Sequence, residues 1–252
     1  VKENDKMYFL CTATAFAKEG KTTYFVSAAH CATEDDVEHG RVNVSKEDFF
    51  INFNDDLEKE RYYSVKIVGA GYKSRGDDLL FLTAELDHEV DIMPLADNDA
   101  SLGEQITNVA CPGGYGKQLF RGSISLKQVF RQLVFGDINW TNNMFIQTEV
   151  GPGSSGSSIV SLRQKAIVAI VVGMLRNSPS VVTVPVSRVK AVWAALRANK
   201  YRWYNTSSPS KKTKMNNPSN ELSVEKLIKQ VNDQYPGRPA LHLPMPEKMP
   251  MP

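Results

Sequence analysis

Three short stretches of this chain carry the residue types that acyl transfer needs: Ser27-Ala28-Ala29-His30-Cys31, Gly76-Asp77-Asp78-Leu79, and Gly151-Pro152-Gly153-Ser154-Ser155-Gly156-Ser157-Ser158. A serine hydroxyl becomes a nucleophile when a base takes its proton, and an imidazole is a good base when a fixed, desolvated carboxylate holds its tautomer. Each stretch alone has a plain reading, as a structural histidine, a polar strand start and a flexible turn. Together they supply a base in His30, an orienting acid in Asp78 and a nucleophile in Ser155. Asp78 suits the buried role better than Asp77, because it abuts the apolar run 79–82 directly. Gly153 and Gly156 flank Ser155, as they must in a loop that turns backbone amides toward an oxyanion and admits a substrate closely.

The elements that must position these residues read as strands. Short runs of β-branched and aromatic residues at 22–27, 49–53, 62–68, 78–83, 106–110, 128–135, 144–149, 159–161, 167–174 and 181–184 are separated by Gly, Asp and Asn turns. The pattern predicts an all-β body, two barrels or a sandwich. Residues 187–200 break it: Val189, Val192, Trp193 and Leu196 recur at helical spacing after a Ser187 cap, which predicts one closing helix. Beyond Lys200 the composition changes. Residues 201–252 hold eight basic and four acidic residues and eight of the thirteen prolines, and 205–220 has almost nothing to bury, so it reads as a disordered linker. One short amphipathic helix over 222–231 is the single periodic feature there. The expected divisions are 1–98 with the histidine and aspartate, 99–200 with the serine and the helix, and a basic Pro- and Met-rich tail over 201–252.

Composition excludes other classes. With 252 residues, 42% of them hydrophobic, the chain can bury a sizeable core, but no apolar run approaches the roughly 20 residues of a membrane helix. A net charge of +2 gives no global field for nucleic acid. His39, His88 and His242 stand isolated, so no metal site and no cofactor is expected. An α/β-hydrolase is also excluded: the chain order is His, Asp, Ser, and the second glycine directly follows the serine where that fold needs Gly-x-Ser-x-Gly.

On these residues the chain resembles the trypsin-like serine endopeptidases, closer to the HtrA-type protease domain than to digestive trypsins, over about residues 7–199. Thr12-Ala13-Thr14-Ala15-Phe16 resembles the family's first-barrel strand, 27–31 its histidine motif and 78–82 its aspartate motif. Ala110-Cys111-Pro112-Gly113-Gly114 followed by Gly122-Ser123-Ile124-Ser125 resembles the opening of the second barrel. Gln147-Thr148-Glu149 with 152–156 resembles the serine motif, and Val184-Pro185-Val186 the entry to the closing helix. The resemblance implies two six-stranded antiparallel β-barrels of chymotrypsin type. It also implies a polypeptide substrate, attack by Ser155, proton transfer by His30, orientation by Asp78, and an oxyanion hole made by the amides of Gly153 and Ser155.

Departures from the family pattern narrow what carries over. Ser154 stands where digestive trypsins keep an Asp that receives a new N-terminus, so activation by N-terminal insertion is not expected. Ser157 and Ser158 replace the usual Gly and Pro, altering either the oxyanion loop or its packing. The residues after the helix are too few for a PDZ domain. The segment matching the primary pocket, Val172, Gly173 and Met174, has no fixed charge and implies an uncharged, medium-sized side chain before the cleaved bond, although Glu149 would favour Lys or Arg if it faced the pocket. Cys31 matches half of a trypsin disulfide and Cys11 lies on the strand carrying the other half, one register off, so a bridge is left open, and Cys111 reads as a small buried hydrophobe. Two alternatives stay open: an inactive fold kept as a binding module, and a viral polyprotein-processing protease whose tail binds nucleic acid or a docking partner. The chain reads as a soluble protein, either exported after leader removal or released from a precursor.

Overall fold

Short apolar runs form antiparallel strands: residues 105–110 alternate between buried and more exposed positions, whereas 166–171 and 181–185 are buried throughout. The computed structural model describes residues 2–3, 6–7, 9–36, 41–44, 48–53, 61–73, 76–127, 134–135, 138–139, 143–175 and 179–198. The chain divides into two units, Val1–Ser210 and Lys211–Pro252, and every described residue lies in the first. The linker over 205–220, the helix over 222–231, His39 and His242 therefore lie outside the described residues.

The first half carries β1 (Lys2–Glu3), β2 (Lys6–Met7), β3 (Thr14–Glu19), β4 (Thr22–Ser27), β5 (Thr33–Asp36), β6 (Arg41–Val44), β7 (Phe50–Asn52), β8 (Tyr62–Ser64), β9 (Lys66–Ala70) and β10 (Leu80–Glu85). The second carries β11 (Gln105–Ala110), β12 (Gln118–Leu126), β13 (Val134–Phe135), β14 (Ile138–Asn139), β15 (Met144–Gln147), β16 (Ser158–Ser161), β17 (Ala166–Met174), β18 (Ser180–Pro185) and the helix α1 (Val186–Arg197). Strands β11-β12-β15-β18-β17-β16 close into a six-stranded barrel. Of the two barrels expected, this is the one that closes among the described residues. The first half shows a four-stranded sheet, β3-β4-β10-β9, with the two-stranded ribbons β5-β6 and β7-β8, and the connections at 45–47 and 54–60 lie outside the described residues.

Register in the first sheet sets the site. Strand β10 runs antiparallel to β4 with Leu80 opposite Ser27 as the final pair, so the residues just beyond, Asp78 and His30, leave the same edge of the sheet. Three apolar clusters form the described core, and the first takes in Ile167, Ile170 and Val184 of the second half as well. Phe25, Leu79 and Phe81 centre the first, and Ile106, Ile124, Met144, Ile146 and Ile159 fill the barrel. Helix α1 joins the first cluster through Val189, Val192 and Leu196, and Trp193 stacks on Phe81 at 5.1 Å while meeting Phe16 edge-on at 5.3 Å. Burying each of those aliphatic side chains contributes roughly 1.5–3 kcal/mol, which fixes the helix across the first half.

Four sequence expectations need correction. The helix begins at Val186 with Pro185 as its N-cap residue, and Ser187 lies inside it; Asp99 supplies the cap instead, accepting from the Ser187 amide at 2.8 Å and its hydroxyl at 2.7 Å. The run 62–68 is split at Val65, where the chain changes partner: through the Val65 amide, which donates to Phe49 O at 3.1 Å, it pairs with β7, and from Lys66 it pairs with β10. Strand β10 starts at Leu80 and not at 78, because 77–79 form the loop that presents Asp78. Finally, Cys111 is half-buried, with its amide held by the Thr12 hydroxyl.

Candidate active site

His30 sits on a single 3-10 turn, Ala29–Cys31, at the end of β4. Its backbone amide donates to Asp78 Oδ1 at 2.8 Å and its Nδ1 meets Asp78 Oδ2 at 2.6 Å. A carboxylate only accepts, so Nδ1 is the donor in this bond, and in the neutral ring the lone pair then sits on Nε2, on the other side. The Asp78 side chain is 11% exposed and that of His30 is 34% exposed, which makes an acid shielded from water behind a base that reaches it. The neighbouring Asp77 turns away from this pair. It is buried, and Arg188 of α1 grips it through Nε at 2.9 Å and Nη2 at 2.5 Å. Asp77 is thus the anchor of the aspartate loop, joining it to the closing helix over 111 positions of sequence.

The serine loop is held one peptide at a time. Gly113 N donates to Pro152 O at 2.7 Å, Thr12 Oγ1 to Gly153 O at 2.9 Å, Ser157 N to Ser154 O at 3.0 Å, and Thr12 N to Ser155 O at 2.9 Å. The amide of Ser154 returns to Gly151 O at 2.9 Å, and that of Gly156 goes to Val171 O at 2.8 Å. Among the described residues, the amides of Gly153 and Ser155 donate to no protein acceptor. In a trans peptide the carbonyl and the amide hydrogen point opposite ways, so pinning Pro152 O and Ser154 O aims the next two amides away from their anchors. The glycines are required here. Gly153 has φ +92° and a Cβ on it would stand 2.5 Å from the Phe9 ring, while a Cβ on Gly156 would meet Ser27 Oγ at 2.2 Å and Thr12 O at 2.3 Å. Gly156 therefore seats the half-buried Ser155 against the strand end that leads into His30.

The remaining expected residues are distributed as follows. Ser154 is buried and its hydroxyl accepts from Gly151 N at 3.1 Å, closing the loop on itself where an acid was missing from the sequence pattern. Ser157 and Ser158 are buried with no hydrogen-bond partner for their hydroxyls among the described residues. Val172, Gly173 and Met174 end β17, where a bulge opposite β18 falls between Val171 and Gly173. Val172 packs into the core, Met174 is exposed, and a Cβ on Gly173 would touch nothing within 4 Å. Glu149 is exposed after β15. Cys11 and Cys31 form a disulfide, with Cα atoms 6.3 Å apart, that ties the approach to β3 to the turn carrying His30. Ligand atoms of Cys11, His30 and Cys31 lie within 4.8 Å of one another, but the bridge consumes both thiolates that a metal would need. Thr12, Gly113 and Arg188 also belong to the site. Their bonds to it span long stretches of sequence and leave no local pattern.

A family model described as a trypsin-like peptidase domain matches residues 11–170. No curated protein matches the chain in sequence. Among solved structures, the serine endoprotease from Yersinia pestis superposes with a TM-score of 0.52 at 15% identity, over 75% of this chain and 58% of that one. The HtrA-type protease AlgW, solved with a decapeptide, superposes with a TM-score of 0.57 at 18% identity, over 76% of this chain and 52% of that one. The chain thus spans little more than half the length of these two proteins, and at such identities the likeness is one of fold. The family match is broader in meaning: it takes in more than half of the chain, including His30, Asp78 and Ser155. The protein belongs to the trypsin-like peptidase family.

Proposed function

We propose that the protein cleaves internal peptide bonds of polypeptides through His30, Asp78 and Ser155. The observation that carries this reading is the two-point hold of Asp78 on His30 at 2.8 and 2.6 Å, which leaves Nε2 as a free base. His30 Nε2 takes the proton of Ser155 Oγ as the oxygen adds to the scissile carbonyl. Negative charge then moves to the carbonyl oxygen, where the amides of Gly153 and Ser155 receive it. His30 returns the proton to the leaving amine, the C–N bond breaks, and an acyl ester remains on Ser155. Water, deprotonated by His30 in turn, hydrolyses that ester and restores the enzyme. Asp78 stabilises the imidazolium in both halves of the cycle without itself taking a proton.

The space over Gly173, with no charged side chain among Val172, Gly173 and Met174, supports a preference for an uncharged, medium-sized residue before the cleaved bond. We read residues 1–98 and 99–200 as the two barrel divisions, the first completed by its ribbons, and 201–252 as an appended segment. A precursor containing this chain is one natural substrate class to test. The purified chain should degrade an unfolded protein such as reduced, alkylated casein, and Ser155→Ala should not. Equal degradation by both would end the reading.

A further inference from the structure

Thr12 belongs to no motif that points to catalysis, yet it reaches the serine loop, 141 positions away, at two points. It is buried, and its hydroxyl is used in both directions: it donates to Gly153 O at 2.9 Å and accepts from Cys111 N at 3.1 Å. Its amide donates to Ser155 O at 2.9 Å, and its carbonyl accepts from Ser27 Oγ at 2.7 Å. One residue thereby links the strand end before His30, the turn at 111–114 and the loop of Ser155.

We propose that Thr12 is a positioning residue of the reaction, whose hydroxyl keeps the serine loop in the one arrangement that offers the amides of Gly153 and Ser155 to the oxyanion. The inference rests on the endopeptidase reading above. A peptide plane flips by compensating rotations on either side of it, and Gly153, without a Cβ, resists such a flip poorly. Resistance must come from the bonds on the planes. The Gly153–Ser154 plane is held at its amide end by Gly151 O and at its carbonyl end by the Thr12 hydroxyl, which is the one partner of Gly153 O among the described residues. The Ser155–Gly156 plane is held by Thr12 N and Val171 O. The plane between them, which carries the Ser155 amide, is therefore framed on both sides, partly by Thr12. Without the hydroxyl, Gly153 O loses its partner, and the rotation that brings it to water turns the Gly153–Ser154 plane, which joins the two planes that carry the Gly153 and Ser155 amides, and so displaces those oxyanion donors.

The test compares Thr12→Val, which keeps the shape and loses the hydroxyl, with Thr12→Ser, which keeps the hydroxyl. Rates are expressed per active site, titrated with a chromogenic acylating ester, and Ser155→Ala serves as the control for the underlying reaction. Thr12→Val should lower kcat on a peptide amide by about tenfold or more, with KM within about threefold, because the oxyanion is met only in the transition state. Inhibition by a peptide boronate should weaken in the same proportion, and Thr12→Ser should stay within about threefold of the parent in both. Should Thr12→Val fail to fold, Thr12→Ala takes its place with the same expectations. A turnover number for the hydroxyl-free variant within about twofold of the parent, a loss lying wholly in KM, or a Thr12→Ser as impaired as Thr12→Val would overturn the role. A parent that Ser155→Ala does not inactivate would instead overturn the endopeptidase reading itself.

Discussion

Asp78 gives both carboxylate oxygens to one residue, the first to the His30 amide and the second to its ring. Replacing it with Asn keeps the size and one acceptor but sets an NH2 group where the ring nitrogen needs an acceptor, so the imidazole is driven to the wrong tautomer. Asp78→Asn should therefore lower kcat by about four orders of magnitude, as the same change does in a well-studied serine protease, with KM within a few fold and the thermal melt close to that of the parent. Steady-state kinetics on a short peptide amide check this. A loss under tenfold would mean that the carboxylate does not orient the base. The neighbouring Asp77 shows what a sequence withholds at this scale. Its position beside an apolar strand marks it only as the poorer of two acids, and its partner Arg188 lies too far along the chain to be inferred. Thr12 is hidden in the same way, since a threonine before a strand has no local sign of bonding a loop 141 positions on.

Among the elements, the aspartate loop and the barrel rim are each fastened by a carboxylate. Arg188→Ala would leave the Asp77 charge buried without its main partner, which costs about 3 kcal/mol or more, and denaturant unfolding should show the loss. A change below about 1 kcal/mol would mean that the helix and loop are held by apolar packing alone. Glu104, immediately before β11, has a side chain only 5% exposed. Burial opposes its charge, but the Ser101 amide, Ser161, Arg163 and Gln164 all bond the ionised form and bring its pKa from 4.5 to about 2. Because the folded value is the lower one, the stabilisation is complete above pH 4.5 and disappears as pH falls toward 2. The stability gap between the parent and Glu104→Gln should thus be widest near pH 7 and shrink steadily from pH 5 to pH 3. A gap independent of pH would contradict it. Strands with a clean apolar run, such as β4 and β17, were legible from sequence. Strand β12 was not, because Gly122 interrupts it; a Cβ there would lie 1.9 Å from Gln147 O, so the glycine marks close approach of β15 and not a turn. The cap of α1 is hidden for a similar reason: Asp99 is 88 positions from Ser187.

At the scale of the whole molecule, the residues proposed for chemistry lie between Cys11 and Met174, on or beside the first sheet and the closed barrel. All-β class and a closing helix followed from residue periodicity, whereas barrel closure depends on pairings such as β11 with β16 that join distant segments. Residues 201–252 contribute no side chain to the proposed machinery. Truncation after Lys200 should leave kcat on a short peptide within a few fold of the full chain, while cleavage of a large protein substrate or the particle size in solution is free to change. Loss of short-peptide activity together with the native fold would show that the truncated segment belongs to the core. The central claim, that Ser155 is a nucleophile activated by His30 and served by the amides of its own loop, is tested most directly by covalent labelling with a fluorophosphonate followed by peptide mass mapping. One adduct should appear, on Ser155, in the parent; His30→Ala should slow its formation by orders of magnitude, and Ser155→Ala should abolish it. An adduct on another residue, or labelling undiminished in either variant, would contradict the account.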